Sequence, residues 1–317
     1  MDGGNRMCEP DAVNPTLVVL AAGIGSRYGG IKQLDQVGPG NEILVDYAVY
    51  DAVQAGFRKV VFIVNPEIYE QFRAEIAGKY EGYIQVDYAL QRLTDLPDGF
   101  TVPPERKKPW GTAHALWSAR HKVDGPFVVV NADDFYGRSS YERLAQAFRL
   151  IRERAASTSV DEYCMCGFHV KNTLSEHGSV SRGICTLTDD GYLADIREIT
   201  AIEKCGEAGK YVDGNGQTAY LDGNAIASMN MWGFTPSIFD HLRKHFEEFL
   251  RERGQEEKSE FLIPDVVRAL IREGRAQVSV FISDDQWFGV TYKEDRPRVE
   301  EQLKELAAGG VYPSPLF

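Results

Sequence analysis

Hydrophobic positions in the first half of the chain form short continuous runs, and amphipathic stretches separate these runs. A short apolar run that ends at a turn is typical of a buried parallel strand, whereas apolar residues three or four apart are typical of a helix. The pattern therefore predicts strands at 17–20, 59–64, 83–88 and 127–130. It predicts helices over 43–55, from Pro66 to about 76, from Thr112, and along the stretch that carries Tyr141, Leu144, Phe148 and Ile151 on one side.

After residue 160 the pattern changes, because strand-like segments follow one another directly. Strands are predicted near 161–170, 179–187, 192–198, 227–234 and 278–282, with helices around 239–249, after Pro264 and over 295–307. The whole pattern predicts an α/β fold, in which helices flank a Rossmann-like, mostly parallel mixed sheet. We expect one domain over 16–317, with a nucleotide-binding half at 16–160 and a mixed-sheet half at 161–317.

One long stretch interrupts the alternation. Residues 92–110 contain Pro97, Pro103, Pro104 and Pro109 and read as a single loop. Loops of this length in compact domains are often lids or binding loops. This segment is therefore a candidate lid or binding loop, and the sequence leaves its role open.

Charge and composition narrow the class of partner. The 317 residues carry a formal net charge of −12, which repels nucleic acid because its binding depends on neutralising phosphates. No stretch approaches the roughly 20 apolar residues that span a bilayer, and residues 1–15 form a flexible leader without the apolar run of a signal peptide. Five cysteines without framework spacing predict free thiols. We expect a cytoplasmic protein with neither a nucleic acid nor a membrane partner; its oligomeric state is not readable from the sequence.

The first predicted strand leads into a turn of small residues with two cations. Small side chains allow close approach of a ligand, and exposed N–H groups of such a turn bind phosphate oxygens. A dinucleotide fingerprint would have a third glycine at the position of Tyr28, and a Walker loop would contain G-K-[ST]. The turn has neither feature, so it fits neither motif. The candidate nucleotide-binding residues are Ala21, Ala22, Gly23, Gly25 and Ser26, followed by the cations Arg27 and Lys32.

This turn carries a resemblance to a known family. The segment L-A-A-G-x-G-S-R, followed by Lys32, resembles the signature of the sugar-1-phosphate nucleotidyltransferases, or NDP-sugar pyrophosphorylases. The resemblance implies a GT-A-like fold with a Rossmann-like core and a sugar-binding lobe at 161–317. It also implies an enzyme that joins a nucleoside triphosphate to a sugar 1-phosphate and releases pyrophosphate, with Mg²⁺ as cofactor.

Further segments match the family in order along the chain. Gly111 and Thr112, within G-T-A-H-A, are similar to the base-contacting segment of N-acetylglucosamine-1-phosphate uridylyltransferases, which favours UTP. Asp133 stands after the fourth strand, where the family keeps its Mg²⁺ ligand. The resemblance further implies sugar or sugar-phosphate contacts at Gly178, Glu203, Lys204 and Asn230.

The reaction explains these residue types. Arg27 and Lys32, the candidate catalytic residues, hold the triphosphate and neutralise charge that moves to the leaving pyrophosphate, while Asp133 holds Mg²⁺. In the resemblance, Lys204 draws in the acceptor phosphate. Each residue also has a plain structural interpretation, since Asp133 and Thr112 are natural helix or turn caps. His114, among apolar residues, is interpreted as a packed core histidine.

One segment departs from the family pattern. A second metal-binding acid is expected shortly after Trp287, but Gly289, Thr291 and Lys293 occupy the possible positions. The acids Asp284, Asp285 and Asp295 are the nearby candidates to replace it. The second metal ligand is therefore left open by the sequence.

Three alternative functions stay open at this stage. A phosphocholine cytidylyltransferase would need an aromatic cage for the trimethylammonium group, for which the sequence offers Tyr136, Tyr141, Trp232 and Trp287. A glycosyltransferase would share the acidic metal site but would not need Arg27 and Lys32. A regulatory module would bind nucleotide without turnover.

Overall fold

The computed structural model describes residues 14–23, 34–76, 78–154, 159–290 and 292–317. The leader before residue 14 and the predicted ligand contacts Gly25, Ser26, Arg27 and Lys32 lie outside the described residues, as does Thr291. Their roles therefore stay predictions. No helix in the described ranges is long and apolar enough to cross a membrane.

Parallel strands form the centre of the sheet. Strand β1 pairs with β2 and β4 in parallel, and β2 pairs with β3, so the carboxyl ends of these strands meet at one edge. Alternate side chains of β1 enter two different cores: Leu17 and Val19 face one, and Val18 faces the other. These strands are β1 (Thr16–Leu20), β2 (Lys59–Val64), β3 (Gln85–Leu90) and β4 (Phe127–Asn131).

Helices cover both faces of the sheet, as the apolar spacing predicts. The first core packs α1 (Leu44–Gln54), α2 (Tyr69–Ile76) and α4 (Arg138–Arg154) against one face. The second core packs α3 (Thr112–Ser118), α5 (Ile238–Arg253) and α6 (Ile263–Arg272) against the other. Burial of an amphipathic stripe is what stabilises such helices in water, because isolated helices of this length are marginal.

Antiparallel strands extend the sheet on the side of β4. The order continues from β4 through β11, β7, β8 and β9 to β10, while β6 pairs with β11 and with β12. The mixed sheet with flanking helices is confirmed, and it is continuous through both halves of the chain. The strands are β6 (Asp161–His169), β7 (Val180–Leu187), β8 (Leu193–Cys205), β9 (Ala208–Val212), β10 (Thr218–Leu221), β11 (Ile226–Phe234) and β12 (Ala276–Ile282).

A small two-stranded sheet stands beside the main one. It pairs β5 (Asp134–Phe135) with β13 (Phe288–Gly289), and the rings of Phe135 and Phe288 stack with centroids 4.3 Å apart. A third apolar cluster supports it, to which α7 (Arg296–Ala308) contributes Leu303 and the chain end contributes Tyr312. The C-terminal segment therefore braces the turn that follows β4.

The structure differs from the sequence prediction where the hydrophobic pattern of the sequence is weak. Helix α2 begins at Tyr69 because Pro66 opens a turn, and β8 continues to Cys205 instead of ending at 198. The β9–β10 hairpin and the β5–β13 pair were not predicted. Strand β10 is half exposed and short, and two-residue strands have no readable period.

The proline-rich loop at 92–110 is tied to the rest of the molecule. The buried guanidinium of Arg106 donates to the carbonyl oxygens of Glu256 (2.7 Å) and Ser259 (2.6 Å) and lies 3.6 Å from the ring centroid of Trp110. The Trp110 indole in turn donates to the Leu93 carbonyl at 3.0 Å. Of the two roles that the sequence leaves open, these contacts favour a fixed binding loop over a moving lid.

Candidate active site

A cleft of about 330 Å³ opens where the parallel and antiparallel parts of the sheet meet. The turn after β4, the starts of α3 and α6, and the middle of β7, β8 and β11 all contribute to it. Clefts at the carboxyl ends of parallel strands are the usual ligand sites of such sheets. The lining residues are Thr112, Asn131, Asp133, Asp134, Ser181, Arg182, Gly183, Glu198, Ser228, Met229, Asn230, Leu262, Pro264 and Trp287.

The turns after β1 and β4 are adjacent at one edge of the cleft. The Ala132 amide donates to the Leu20 carbonyl at 3.2 Å, and Leu20 is paired with Asn131 across the ladder. Ala21 and Ala22 follow β1 and are buried, whereas Gly23 is exposed. The structure therefore brings the start of the small-residue turn next to the segment that carries Asp133.

Thr112 reaches the cleft because Gly111 allows a close backbone approach. Gly111 has φ +114°, and a Cβ there would lie 2.4 Å from the Phe261 carbonyl oxygen, so a side chain is not tolerated. The Thr112 hydroxyl oxygen accepts a hydrogen bond from the Ile263 amide at 3.2 Å. Gly111 itself does not line the cleft, but it sets the position of Thr112.

Asp133 and its neighbour Asp134 differ in their surroundings. Asp134 is buried and accepts hydrogen bonds from the Asn131 amide nitrogen (2.8 Å) and the Tyr136 hydroxyl (3.2 Å). Asp133 is half-buried on the cleft wall. Both carboxylates line the cleft, and the hydrogen bonds of Asp134 also stiffen the turn.

The carboxylates fit Mg²⁺ only in combination with a substrate. Over the described ranges, no group of three or more His, Cys, Asp or Glu side chains is placed to hold a metal ion. Mg²⁺ is commonly held by one or two carboxylates together with phosphate oxygens of the substrate, so Asp133 suffices for that mode. The lining of the cleft therefore fits the Mg²⁺ that the resemblance implies, which Asp133 would hold together with the substrate.

The second acid that the family pattern suggested has no place at Gly289. Gly289 pairs with Asp134, and a Cβ there would lie 2.5 Å from an Asp134 carboxylate oxygen. Of the nearby acids, Asp285 accepts from the Ser139 amide and hydroxyl, and Asp295 accepts from the Tyr292 amide. The third, Asp284, pairs with Arg143 at the surface, and none of these three lines the cleft.

The antiparallel wall centres on a bulge at Asn230. The pairing of β11 with β6 shifts register between Ser228 and Trp232, and Asn230 adopts φ +60°. Asparagine tolerates this left-handed conformation better than most residues. Its side-chain oxygen accepts from the Trp232 indole at 3.3 Å, and its position on the cleft agrees with the acceptor contact that the resemblance implies.

Two charged residues in the cleft were not identified from the sequence. Arg182 on β7 is 9% exposed, and Glu198 on β8 pairs across the ladder with Gly183. Burial raises the pKa of the Glu198 carboxyl, and the nearby Arg182 guanidinium opposes that rise. The available signal was an arginine within a predicted strand, between Val180 and Ile184.

Three residues that the resemblance assigned to the sugar do not line the cleft. Gly178 lies against the ring of Tyr292, where a Cβ would approach within 2.7 Å. Lys204 pairs with Glu176. Glu203, the remaining member of this set, pairs with Lys210 (3.2 Å) near the β9–β10 hairpin, where both side chains are exposed.

The aromatic residues do not form a cage. Tyr136, Tyr141 and Trp232 are each at most 1% exposed and belong to the cores, so only Trp287 of the four lines the cleft. These four residues therefore do not form the aromatic cage that a choline site would need.

His114 is confirmed as a core histidine. It is completely buried, and burial lowers its pKa to about 4. Its Nε2 lies 2.9 Å from the Asp95 carbonyl oxygen, and its Nδ1 lies 3.2 Å from the Gln91 side-chain nitrogen. A neutral ring that donates through Nε2 and accepts through Nδ1 satisfies both contacts.

The chain belongs to the nucleotidyl transferase family, whose model matches residues 16–305. The match extends over both halves of the sheet, so the chain carries a nucleotidyl transferase domain. The resemblance drawn from the small-residue turn is confirmed.

Three solved structures share this fold at low sequence identity. They are a UDP-glucose pyrophosphorylase complexed with UDP-glucose (TM-score 0.58, 15% identity, 92% of this chain and 99% of that chain), a putative glucose-1-phosphate thymidylyltransferase from Bacillus anthracis (0.56, 14%, 92% and 95%), and the inositol-1-phosphate CTP transferase from T. maritima (0.57, 13%, 94% and 98%). At these identities the likeness concerns the fold alone.

A curated relative covers part of the chain. It is the bifunctional IPC transferase and DIPP synthase of Thermococcus kodakarensis, 27% identical over 198 residues. The match covers 60% of this chain and 41% of the relative, so it extends over less than half of that protein.

Proposed function

We propose that the protein joins a nucleoside triphosphate, with UTP favoured, to a sugar 1-phosphate and releases pyrophosphate with the help of Mg²⁺. The observation that carries the proposal is the cleft itself. In it Asp133, Thr112 and Asn230, which come from distant parts of the sequence, line one polar cavity. The family match supports the reaction class, and the polar lining supports a hydroxyl-bearing acceptor.

The chain contributes position and charge, because the acceptor phosphate is itself the nucleophile. Its oxygen attacks the α-phosphorus in line with the departing pyrophosphate. Arg27 and Lys32 bind the triphosphate in this proposal, on the evidence of the sequence motif. Asp133 holds Mg²⁺, which neutralises phosphate charge when bound. Asn230 and Glu198 bind hydroxyl groups of the acceptor.

The base preference rests on the segment around Gly111. Gln91, at the end of β3, donates its amide N–H to the Gly111 carbonyl (3.0 Å) and lies 3.2 Å from His114 Nδ1. These contacts orient the amide, but Gln91 lines a separate cavity and not the cleft, so they carry no base preference. The support for UTP is the G-T-A-H-A match.

Inositol 1-phosphate with CTP is the second candidate. It is favoured by the 27% identity to the Thermococcus kodakarensis enzyme, whose name contains an IPC transferase. An inositol carries hydroxyl groups like a sugar, so the polar cleft suits either acceptor. A phosphocholine acceptor is disfavoured because, of the four aromatic residues considered for its cage, only Trp287 lines the cleft.

The test is a pyrophosphate-release assay with Mg²⁺. It crosses UTP, dTTP, CTP, ATP and GTP with sugar 1-phosphates, inositol 1-phosphate and phosphocholine. We expect release with UTP and one sugar 1-phosphate, reduced about 10²-fold or more in Lys32→Ala. Release with CTP and inositol 1-phosphate alone would establish the second candidate. No release with any pair, while nucleotides still raise Tm, would favour a binding module.

A further inference from the structure

Arg182 provides a cation inside an otherwise acidic cleft. Among the described residues that line the cavity, Asp133, Asp134 and Glu198 are acidic, and Arg182 alone is basic. Both substrates of the proposed reaction are anions, so this charge balance is unfavourable without a cation at the acceptor. The lysine that the resemblance assigned to this task, Lys204, pairs with Glu176 away from the cavity.

The hydrogen bonds of Arg182 hold its guanidinium without neutralising it. Nε donates to the Thr173 carbonyl at 3.1 Å, Nη2 donates to the same oxygen, and Nη1 donates to the Ser181 carbonyl at 2.8 Å. All three are backbone acceptors with no net charge. A guanidinium has five N–H groups, so two are left without an acceptor among the described residues.

Burial makes this arrangement costly unless an anion completes it. Arg182 is 9% exposed and lies 5.1 Å from the ring centroid of Trp287, which shields it from solvent. The nearby carboxylates of Asp134, Glu198 and Asp295 attract the guanidinium, but burial outweighs them and lowers the pKa of Arg182. A fork held in place by carbonyl oxygens is already oriented for a further planar or tetrahedral anion. A purely structural role in fixing the Thr173 segment would leave the two remaining N–H groups unexplained.

We infer that Arg182 binds an anionic group of the acceptor substrate, an inference that rests on the proposed function. Two groups share this chemistry: the 1-phosphate of the acceptor, or a carboxylate elsewhere on it, as in a uronic acid 1-phosphate. Arg182 is then a residue that selects the acceptor, while the nucleotide is bound by other residues.

The variants are Arg182→Met, which removes the charge but keeps a long apolar stem, and Arg182→Lys, which keeps the charge but loses the fork. Arg143→Met is the matched control, because Arg143 bonds the Ile282 carbonyl and Asp284 away from the cleft. Calorimetry measures binding of glucose 1-phosphate and glucuronic acid 1-phosphate without nucleotide, and the assay gives KM for acceptor and nucleotide separately.

We expect Arg182→Met to weaken acceptor binding at least about tenfold, with a smaller loss in Arg182→Lys and an unchanged KM for the nucleotide. Equal weakening for both acceptors assigns the 1-phosphate, and weakening for glucuronic acid 1-phosphate alone assigns the carboxylate. Wild-type affinity for both acceptors in a folded variant would overturn the inference.

The experiment distinguishes a variant that fails to fold from a failure of the proposed function. If Arg182→Met does not fold, as judged by circular dichroism, Arg182→Lys decides: weaker acceptor binding supports the inference, and unchanged binding overturns it. If the wild-type protein releases no pyrophosphate with any pair, the proposed function has failed. The calorimetric comparison still tests Arg182 in that case, because it needs no turnover.

Discussion

The two walls of the cleft are built in different ways. On the parallel side, residues that line the cleft stand in turns directly after buried strands, as Asp133 does after β4. On the antiparallel side, they stand in the middle of strands, as Arg182, Glu198 and Asn230 do. The first wall depends on where strands end, and the second depends on register and on which face of each strand turns to the cleft.

Because of this difference, residues of the parallel wall can be identified from a short stretch of sequence, whereas residues of the antiparallel wall cannot. A carboxylate after an apolar run is visible in a short stretch of sequence, because the carboxyl ends of parallel strands share one edge. A one-residue shift in pairing moves every side chain of a strand to the opposite face. The β11 bulge at Asn230 is such an interruption, and it presents the Asn230 side chain to the cleft.

The largest effect is expected on the parallel wall, at Asp133. Asp133→Asn keeps the shape but removes the charge that holds Mg²⁺, so turnover should fall by about 10²-fold or more and require more Mg²⁺. Pyrophosphate release is measured over a Mg²⁺ titration. Asp284→Asn, at a side chain that is 87% exposed, is the matched control. Wild-type turnover in Asp133→Asn would place the metal elsewhere.

The stability of the contact between α1 and the C-terminal segment should depend on pH, because the Asp51 carboxyl forms part of it. Burial raises the pKa of this carboxyl to about 7, although the Tyr312 hydroxyl (2.7 Å) and Arg138 (3.5 Å) favour its charged form. The folded protein thus holds a proton that the unfolded chain releases near pH 4. Protonated Asp51 therefore contributes its full share to the free energy of unfolding below that pH, and this contribution is lost as pH rises towards 7.

Asp51→Asn should flatten this dependence. Between pH 5 and 8 the free energy of unfolding should fall by about 2 kcal/mol more in the wild type than in the variant. Denaturant unfolding at each pH measures the difference, with Asp284→Asn as the control. Parallel pH profiles would show that the C-terminal brace does not depend on a protonated Asp51.

A smaller effect is expected on the antiparallel wall, where the structure and the sequence resemblance favour different glutamates as the contact to the acceptor. Glu198 lines the cleft, whereas Glu203, which the sequence resemblance favours, pairs with Lys210 outside it. Glu198→Gln should raise KM for the acceptor about tenfold, because hydrogen bonds to a charged group are the stronger ones. If Glu203→Gln raises it instead, the resemblance is right and the geometric assignment is wrong.

The smallest effect is expected at Asn230, where two substitutions separate the contribution of the backbone conformation from that of the side-chain amide. Asn230→Gly keeps the left-handed conformation and loses the amide, and it should raise KM for the acceptor a few-fold. Asn230→Ala should do the same and also lower stability by about 1 kcal/mol, since alanine disfavours this conformation. Steady-state kinetics and thermal unfolding measure the two effects. Equal stability of both variants would contradict the strain argument.

The fold was largely predictable because its central elements have strong periods. The continuous runs of β1, β2 and β4 and the apolar side of α4 appear in the structure close to the predicted limits. The β9–β10 hairpin was not predicted, because its strands are short and half exposed. The same exposed region contains Glu203 and Lys204, which match the family in residue type but lie outside the cleft.

The sequence by itself determined the family, the positions of the buried parallel strands and Asp133 as the candidate metal ligand. It could do so because these features depend on neighbouring residues. Only the tertiary structure decided that Arg182, Glu198 and Asn230 share one cavity. Strand register, a bulge and packing between distant segments set those positions, and such contacts have no signature within any single stretch of the chain.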